Sequence, residues 1–297
     1  MRFEIRYRMA FEYENVVRHS QNEVRACPLT DEHQHVLSYR FHSTPSSRVH
    51  GYTDYWGTRV DAYGVREPHV AIEIVAESTV ETRPRPVVAS SAPLSALHDP
   101  AFREPLVEHL QATRHTEPGS GVRSWVDDLR QRSGDDVVDL VLAIHRGVHR
   151  TLRYAPGATG IGSAAEDVLE GGAGVCQDYA HLAVSACRAA GIPARYVSGY
   201  FFTSDDRTGE VSGDTASVQT HAWFEAAIPG AGWLALDPTN ALPVGERHVT
   251  IGRGRDYDDV PPIRGVYSGM ARATVDAGVE IRRMSDVLVT QQAQQQQ

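Results

Sequence analysis

From Phe3 onward the chain alternates. Phe3, Ile5, Tyr7, Met9, Phe11 and Tyr13 fall on one parity, and Arg2, Glu4, Arg6, Arg8, Ala10 and Glu12 on the other. A period of two over this length predicts a half-buried strand. Further strands are predicted at 23–27, 35–42, 49–55, 58–62 and 69–80, with turn residues between them at the spacing of a β-sandwich. Asp54-Tyr55-Trp56-Gly57 reads as a hairpin turn. The alternation stops near Thr82. Arg83-Pro84-Arg85-Pro86 and the Ala-, Ser- and Pro-rich run to Pro100 cannot continue a central strand, so 1–82 is read as a β domain and 83–100 as a linker.

The period then changes to that of a helix. Helices are predicted at 102–114, at 122–132 after the Pro118-Gly119-Ser120-Gly121 break, at 135–152 and at 164–170. Asp135 and Asp136 suit the start of the third, where acidic groups meet the positive end of the helix dipole. After Gly171, Gly172 and Gly174 comes Cys176, followed at helical spacing by Tyr179, Leu182, Ala183, Ala186 and Ala190, until Gly191-Ile192-Pro193 ends the run. A cysteine in the first turn of a helix faces unpaired N–H groups, which favour the nucleophilic thiolate over the thiol. A strand follows at 195–202, and the polar stretch 203–219 is read as a surface loop over the site. His221-Ala222-Trp223-Phe224-Glu225 and Gly232 to Asp237, separated by the turn Pro229-Gly230-Ala231-Gly232, read as a hairpin. Antiparallel pairing can set His221 and Asp237 side by side as a base and the group that orients it. Two closing strands are predicted at 271–277 and 278–289, so that the second domain spans 101–290, and QQAQQQQ at 291–297 reads as a disordered tail. The element order is that of an α+β protein: an N-terminal β-sandwich, then helices packed on an antiparallel sheet.

Composition narrows the function classes. A chain of 297 residues suggests about two domains. Its formal charge of −9 argues against nucleic acid or an anionic membrane as partner, since both reward a basic surface. The start, MRFEIRYRMAFEY, lacks the apolar core of a signal peptide, and no later run approaches membrane-spanning length, so a cytoplasmic location is expected. The cysteines Cys27, Cys176 and Cys187 form neither an even disulfide set nor a metal-ligand spacing. The N-terminal histidines are scattered, and no cofactor or metal is expected. Homo-oligomerisation is compatible with the sequence.

The segments GVCQDYAHL, GIPARYVSGY, HAWFEA and GWLALDPTN resemble the four signature segments of the transglutaminase-like superfamily of papain-type cysteine enzymes, in the order Cys, His, Asp. The segment REPHVAIEIVAESTVET at 66–82 resembles the N-terminal domain that precedes this core in bacterial two-domain members. The resemblance implies a papain-like core with the cysteine on a helix and the His and Asp on a sheet. It implies Cys176 as nucleophile, His221 as general base and acid, and Asp237 as the orienting carboxylate, acting through a thioester on a peptide or protein substrate that carries an amide bond. Peptidase or amidase activity, or transfer to a small amine, is expected first. A protein-cross-linking transglutaminase and a non-catalytic peptide-binding module are the alternatives. His181, five residues after Cys176 on its helix, is rotated away and is a poor competitor for the base. Trp233 is expected to line the cleft and contact substrate, and Arg253 and Arg255 to serve as ion-pair partners. Glu170 stands where a papain-type site would offer a glutamine nearby, which leaves the second oxyanion donor unassigned.

Overall fold

Alternation in the first eighty residues becomes two facing sheets. The computed structural model describes residues 1–85, 92–203, 209–212 as backbone, 214–270 and 272–284. Strands β1 (Arg2–Val17), β2 (Ser20–Val24), β3 (Gln34–Thr44), β4 (Val49–Thr53), β5 (Arg59–Val65) and β6 (His69–Thr82) come first. Phe3, Ile5, Tyr7 and Met9 point inward from β1 and are buried with Ile72, Ile74 and Val80 of β6 and Tyr63 and Val65 of β5. The opposite parity faces solvent, where Arg2, Arg6 and Arg8 pair with Glu81, Glu77 and Glu73 across β1 and β6. Exposed pairs of this kind add little stability, so the apolar face holds the sandwich together.

Between the strand regions lie helices α1 (Ser120–Ser133), α2 (Val137–Thr151), α3 (Ala165–Gly171) and α4 (Cys176–Ala189). Asp136 caps α2 by accepting from the Asp139 N–H at 3.0 Å. Residues 94–110 form short helical turns instead of the single helix expected from 102. Leu94 and Leu97 join the helical core. The second half of the expected linker is therefore part of the core, while 86–91 and the tail 291–297 fall outside the described residues.

Strands β7 (Ala194–Phe201), β8 (Gly209–Ser212), β9 (Thr215–Val218), β10 (His221–Ile228), β11 (Gly232–Asp237), β12 (His248–Gly254), β13 (Ile263–Tyr267) and β14 (Ala273–Arg283) complete the chain. The sheet of the helical half has the order β11-β10-β7-β12, extended at the β11 edge by Leu242–Pro243. Helix α4 packs on it, with Leu182, Ala183 and Ala186 fully buried against Phe224 and Ala226. The last two strands correct the expected partition. Residues 273–283 form one strand, not two, and it pairs with β1 from Phe3↔Arg283 to Tyr13↔Ala273. The sandwich is thus a six-stranded sheet of order β8-β9-β14-β1-β6-β3 facing a four-stranded sheet of order β13-β2-β5-β4. Half of its outermost strands come from the C-terminal third of the chain. Alternation predicts that a strand forms but carries no information on its distant partner. Tyr200, Phe202, Val249 and Ile251 from the sheet of the helical half enter the sandwich core, so the two halves share buried surface. Among the described residues no helix is long and apolar enough to cross a membrane.

Candidate active site

Cys176 is the first residue of α4, after Val175 in extended conformation. Gly172 ends α3 at φ 62°, a left-handed conformation that glycine adopts without strain, and turns the chain toward the cysteine. Asp178 fastens the helix start: its Oδ2 accepts from the Val175 N–H at 2.7 Å and from the Thr159 hydroxyl at 2.6 Å. The Cys176 side chain is half-buried, whereas Cys27 and Cys187 are buried.

The hairpin delivers the expected partners. In β10 and β11 Phe224 pairs with Leu236, which carries Asp237 to the end of β11 nearest His221. His221 Nε2 lies 2.8 Å from Asp237 Oδ2, with the imidazole 6% exposed and the carboxylate fully buried. The other ring nitrogen, Nδ1, is left for Cys176, which adds to the upward push on the His221 pKa and whose Sγ lies 4.0 Å from the Thr220 carbonyl oxygen. Burial alone would depress the His221 pKa. The Asp237 charge and hydrogen bond, together with Cys176, outweigh it and push the imidazolium up to about 10. Burial likewise opposes ionisation of Asp237, but His221 and the donation from His248 hold its carboxyl well below the usual range. Both directions describe an imidazolium paired with a carboxylate. Asp237 is further saturated by donors: its Oδ1 accepts the Thr239 and Asn240 N–H groups at 3.0 and 3.2 Å, and its Oδ2 accepts Asn240 Nδ2 at 2.8 Å.

A cavity of about 430 Å³ opens on this group. Tyr154, Tyr196, Tyr257, Phe201 and Val218 form much of its wall, with Gln177, Gln219 and Ser198 as polar points. Among the described residues, none that lines it is Asp, Glu, Lys or Arg.

Two residues behave differently from expectation or were not foreseen. Trp233 does not line this cavity. It sits four residues from Asp237, about 13 Å along the strand, in a separate cavity beside Leu234, Leu142 and Arg253, with the Arg195 guanidinium 3.8 Å over its ring. His248 was not anticipated. It begins β12 and brings Nε2 to 3.2 Å from Asp237 Oδ2. The only hint in the sequence was its place in the segment HVTIGRGRDYDDV, where neither spacing nor period distinguishes it. His181 turns away from the nucleophile: it is fully buried, accepts the Tyr257 N–H at Nε2 (3.1 Å) and stacks on His115 at 4.7 Å. Burial drives its pKa well below 6.5, which keeps it neutral. Arg253 and Arg255 are ion-paired, to Asp31 and Glu225 and to Asp259 respectively.

Among the described residues, two clusters have the donor atoms of a metal site. In His221, Asp237 and His248 the nitrogens face the carboxylate as hydrogen-bond donors. His248 Nδ1 accepts the Gly245 N–H at 3.2 Å, so its Nε2 carries the proton and has no lone pair to offer. In His115, Asp256 and Asp258 the Arg114 guanidinium already stands as the cation, 2.6 Å from Asp258 and 3.1 Å from His115 Nε2.

Helix-borne cysteine, sheet-borne histidine and carboxylate, and a cleft between them are arranged as in the papain-like fold. The chain belongs to the transglutaminase-like superfamily: the superfamily's core matches residues 123–238, which contain Cys176, His221 and Asp237, and the bacterial transglutaminase-like N-terminal region matches 3–81. An uncharacterized Mycobacterium leprae protein is 35% identical over 284 residues, 96% of this chain and 99% of its own. A Pseudomonas aeruginosa protein-glutamine gamma-glutamyltransferase is 33% identical over 138 residues, covering 44% of this chain and 20% of that enzyme. A solved Cytophaga hutchinsonii protein, described as a candidate cysteine protease, shares the fold with a TM-score of 0.73 at 24% identity over 96% of this chain and 92% of its own.

Proposed function

We propose that this protein breaks and remakes amide bonds through a thioester on Cys176. The observation that carries the reading is the buried 2.8 Å contact between His221 Nε2 and Asp237, which leaves the opposite face of the imidazole to the half-buried Cys176. His221 takes the thiol proton, and the thiolate attacks the carbonyl carbon. As the C–N bond breaks, His221 returns the proton to the departing amine. The Cys176 N–H at the start of α4 is positioned as a donor to the oxyanion. Water, deprotonated by His221, then releases the acid and restores the thiol; an amine in its place gives transfer. Asp237 keeps the Nε2–H tautomer and stabilises the imidazolium between the two proton transfers.

Apart from Cys176 and His221 themselves, the described cavity wall of aromatic and amide side chains favours a neutral carboxamide or peptide over a charged group at the reacting position. Hydrolysis or transfer to a small amine is the first reading. Transfer between proteins is the second, favoured by the name of the Pseudomonas aeruginosa relative. Incubating a peptide library with wild type and Cys176→Ala, with and without a labelled small amine, distinguishes them by mass spectrometry. Cleaved or deamidated amides found only with wild type support hydrolysis, and amine adducts support transfer. Identical product sets from the two proteins would leave the binding-module alternative.

A further inference from the structure

The three-residue reading uses one of the two imidazoles that, among the described residues, reach the Asp237 carboxylate. His248 approaches the same oxygen, Oδ2, from the opposite edge strand of the catalytic sheet, at 3.2 Å against 2.8 Å for His221. It is 4% exposed and lies on Phe201 at 4.3 Å between ring centres, with Trp223 edge-on at 5.3 Å, so its ring has no room to turn. The Gly245 N–H donates to Nδ1. A neutral imidazole has one proton, and with Nδ1 accepting, that proton is on Nε2 and aimed at Asp237.

We propose that His248 is a positioning residue of this site: as a neutral Nε2–H donor it holds the Asp237 carboxylate in register with His221 and draws charge from Oδ2, moderating how tightly His221 keeps its proton. This inference rests on the catalytic assignment of Cys176, His221 and Asp237. A group that must both accept and return a proton works best with its pKa near the working pH, and an undiluted buried carboxylate would move His221 further from it. Every donor on Oδ2 opposes that movement.

Burial, more than the surrounding charges, keeps His248 itself neutral. Facing it are Asp237 from β11, His221 from β10 and the neighbouring Arg247, whose guanidinium lies over Phe201. His145 of α2 adds a donor to the Asp237 main-chain oxygen at 2.9 Å. A cation on His248 would sit 6.3 Å from the His221 ring and beside Arg247, and would lose the Gly245 hydrogen bond. Burial pushes in the same direction, and the Asp237 contact only partly offsets it.

Nitrogen-15 NMR of the histidine rings in the full-length chain, made as Cys176→Ala to remove the thiol, tests this directly. His248 should show a neutral Nε2–H form at and above the ordinary imidazole midpoint of about 6.5, and take up a second proton only below it. An Nδ1–H form, or a cation appearing in that range, overturns the proposal without any substitution at His248. Adding His248→Phe keeps a ring on Phe201 but removes the donor, and the His221 midpoint should rise by about one pKa unit, a tenfold gain in proton affinity. His248→Gln restores an N–H donor and should return the midpoint toward the parent value. A packing role alone predicts lower thermal stability with an unmoved midpoint, and an unmoved or lowered midpoint in folded His248→Phe refutes the proposal. Iodoacetamide labelling of wild-type Cys176 reports separately on the catalytic reading. Slow labelling there with the expected His248 tautomer would sink that reading alone.

Discussion

Replacing Asp237 with asparagine changes one atom at the centre of the site, and its effects follow from the hydrogen bonds. The new amide can still accept at Oδ1 from the Thr239 and Asn240 N–H groups, so the turn after β11 survives. Its NH2 then occupies the place of Oδ2, facing three donors: His221 Nε2, His248 Nε2 and Asn240 Nδ2. His221 relieves the conflict by moving its proton to Nδ1, the nitrogen that must take the Cys176 proton. The imidazole then cannot act as base, and the carboxylate that raised its pKa to about 10 is gone. With the base disabled, labelling of Cys176 in Asp237→Asn at pH 6 should fall by on the order of 10²-fold or more, the usual scale of a general base's contribution. The assay is the rate of iodoacetamide labelling of Cys176 from pH 5 to pH 10, with circular dichroism to confirm the fold. A folded Asp237→Asn protein that labels at the wild-type rate at pH 6 would refute the orienting role.

Three further outcomes are expected. Native labelling at pH 7 followed by peptide mapping should mark Cys176 alone, because burial pushes the Cys27 thiol up to about 11 and the Cys187 thiol up to about 12; comparable labelling of all three would remove the claim of activation. His181→Ala should leave the labelling profile of Cys176 unchanged while lowering stability by about 2–3 kcal/mol in thermal denaturation, as expected for a buried, hydrogen-bonded side chain. Glu225→Gln should cost about 3–5 kcal/mol in urea titrations at pH 7, because the fully buried carboxylate compensates Arg195, Arg253 and Arg85. The arginines hold the Glu225 pKa below its ordinary value despite burial, so its contribution is present above about pH 4.3 and fades as pH falls through the lower folded value. The stability gap between wild type and Glu225→Gln should accordingly narrow in acid, and a gap that widens there would contradict the pairing.

Much of the catalytic half was legible because its signals are local. The helix after Cys176 has its own period, and the His221 to Asp237 hairpin brings its ends together across a short turn, so neighbours in space are near neighbours in sequence. Partners drawn from distant segments were invisible. His248 reaches Asp237 only because β12 lies at the far edge of the same sheet, and nothing in HVTIGRG announces that placement. Residues 273–283 alternate as any strand does, and their pairing with β1 depends on contacts made some 270 residues earlier in the chain. A cut between 83 and 100 would consequently not release a self-contained β fragment, since β14 and β9 would remain on the other piece while completing its sheet. Trp233 was misplaced for a simpler reason. Composition marks an aromatic residue near the site, but distance along an extended strand decides whether it arrives.

The pairing of β1 with β14 also bears on synthesis of the protein. One edge of β1 is filled by β6 soon after both are made, while the other must wait for its partner at Ala273–Arg283. At about 5–20 residues per second, that edge stays open on the ribosome for roughly 15–50 s. Throughout that interval a line of unpaired N–H and C=O groups, flanked by Phe3, Ile5 and Tyr7, is offered to any other extended chain nearby. A ribosome stalled after Cys176, His221 and Asp237 had all emerged would carry the three groups of the proposed chemistry and still display an open template for aggregation.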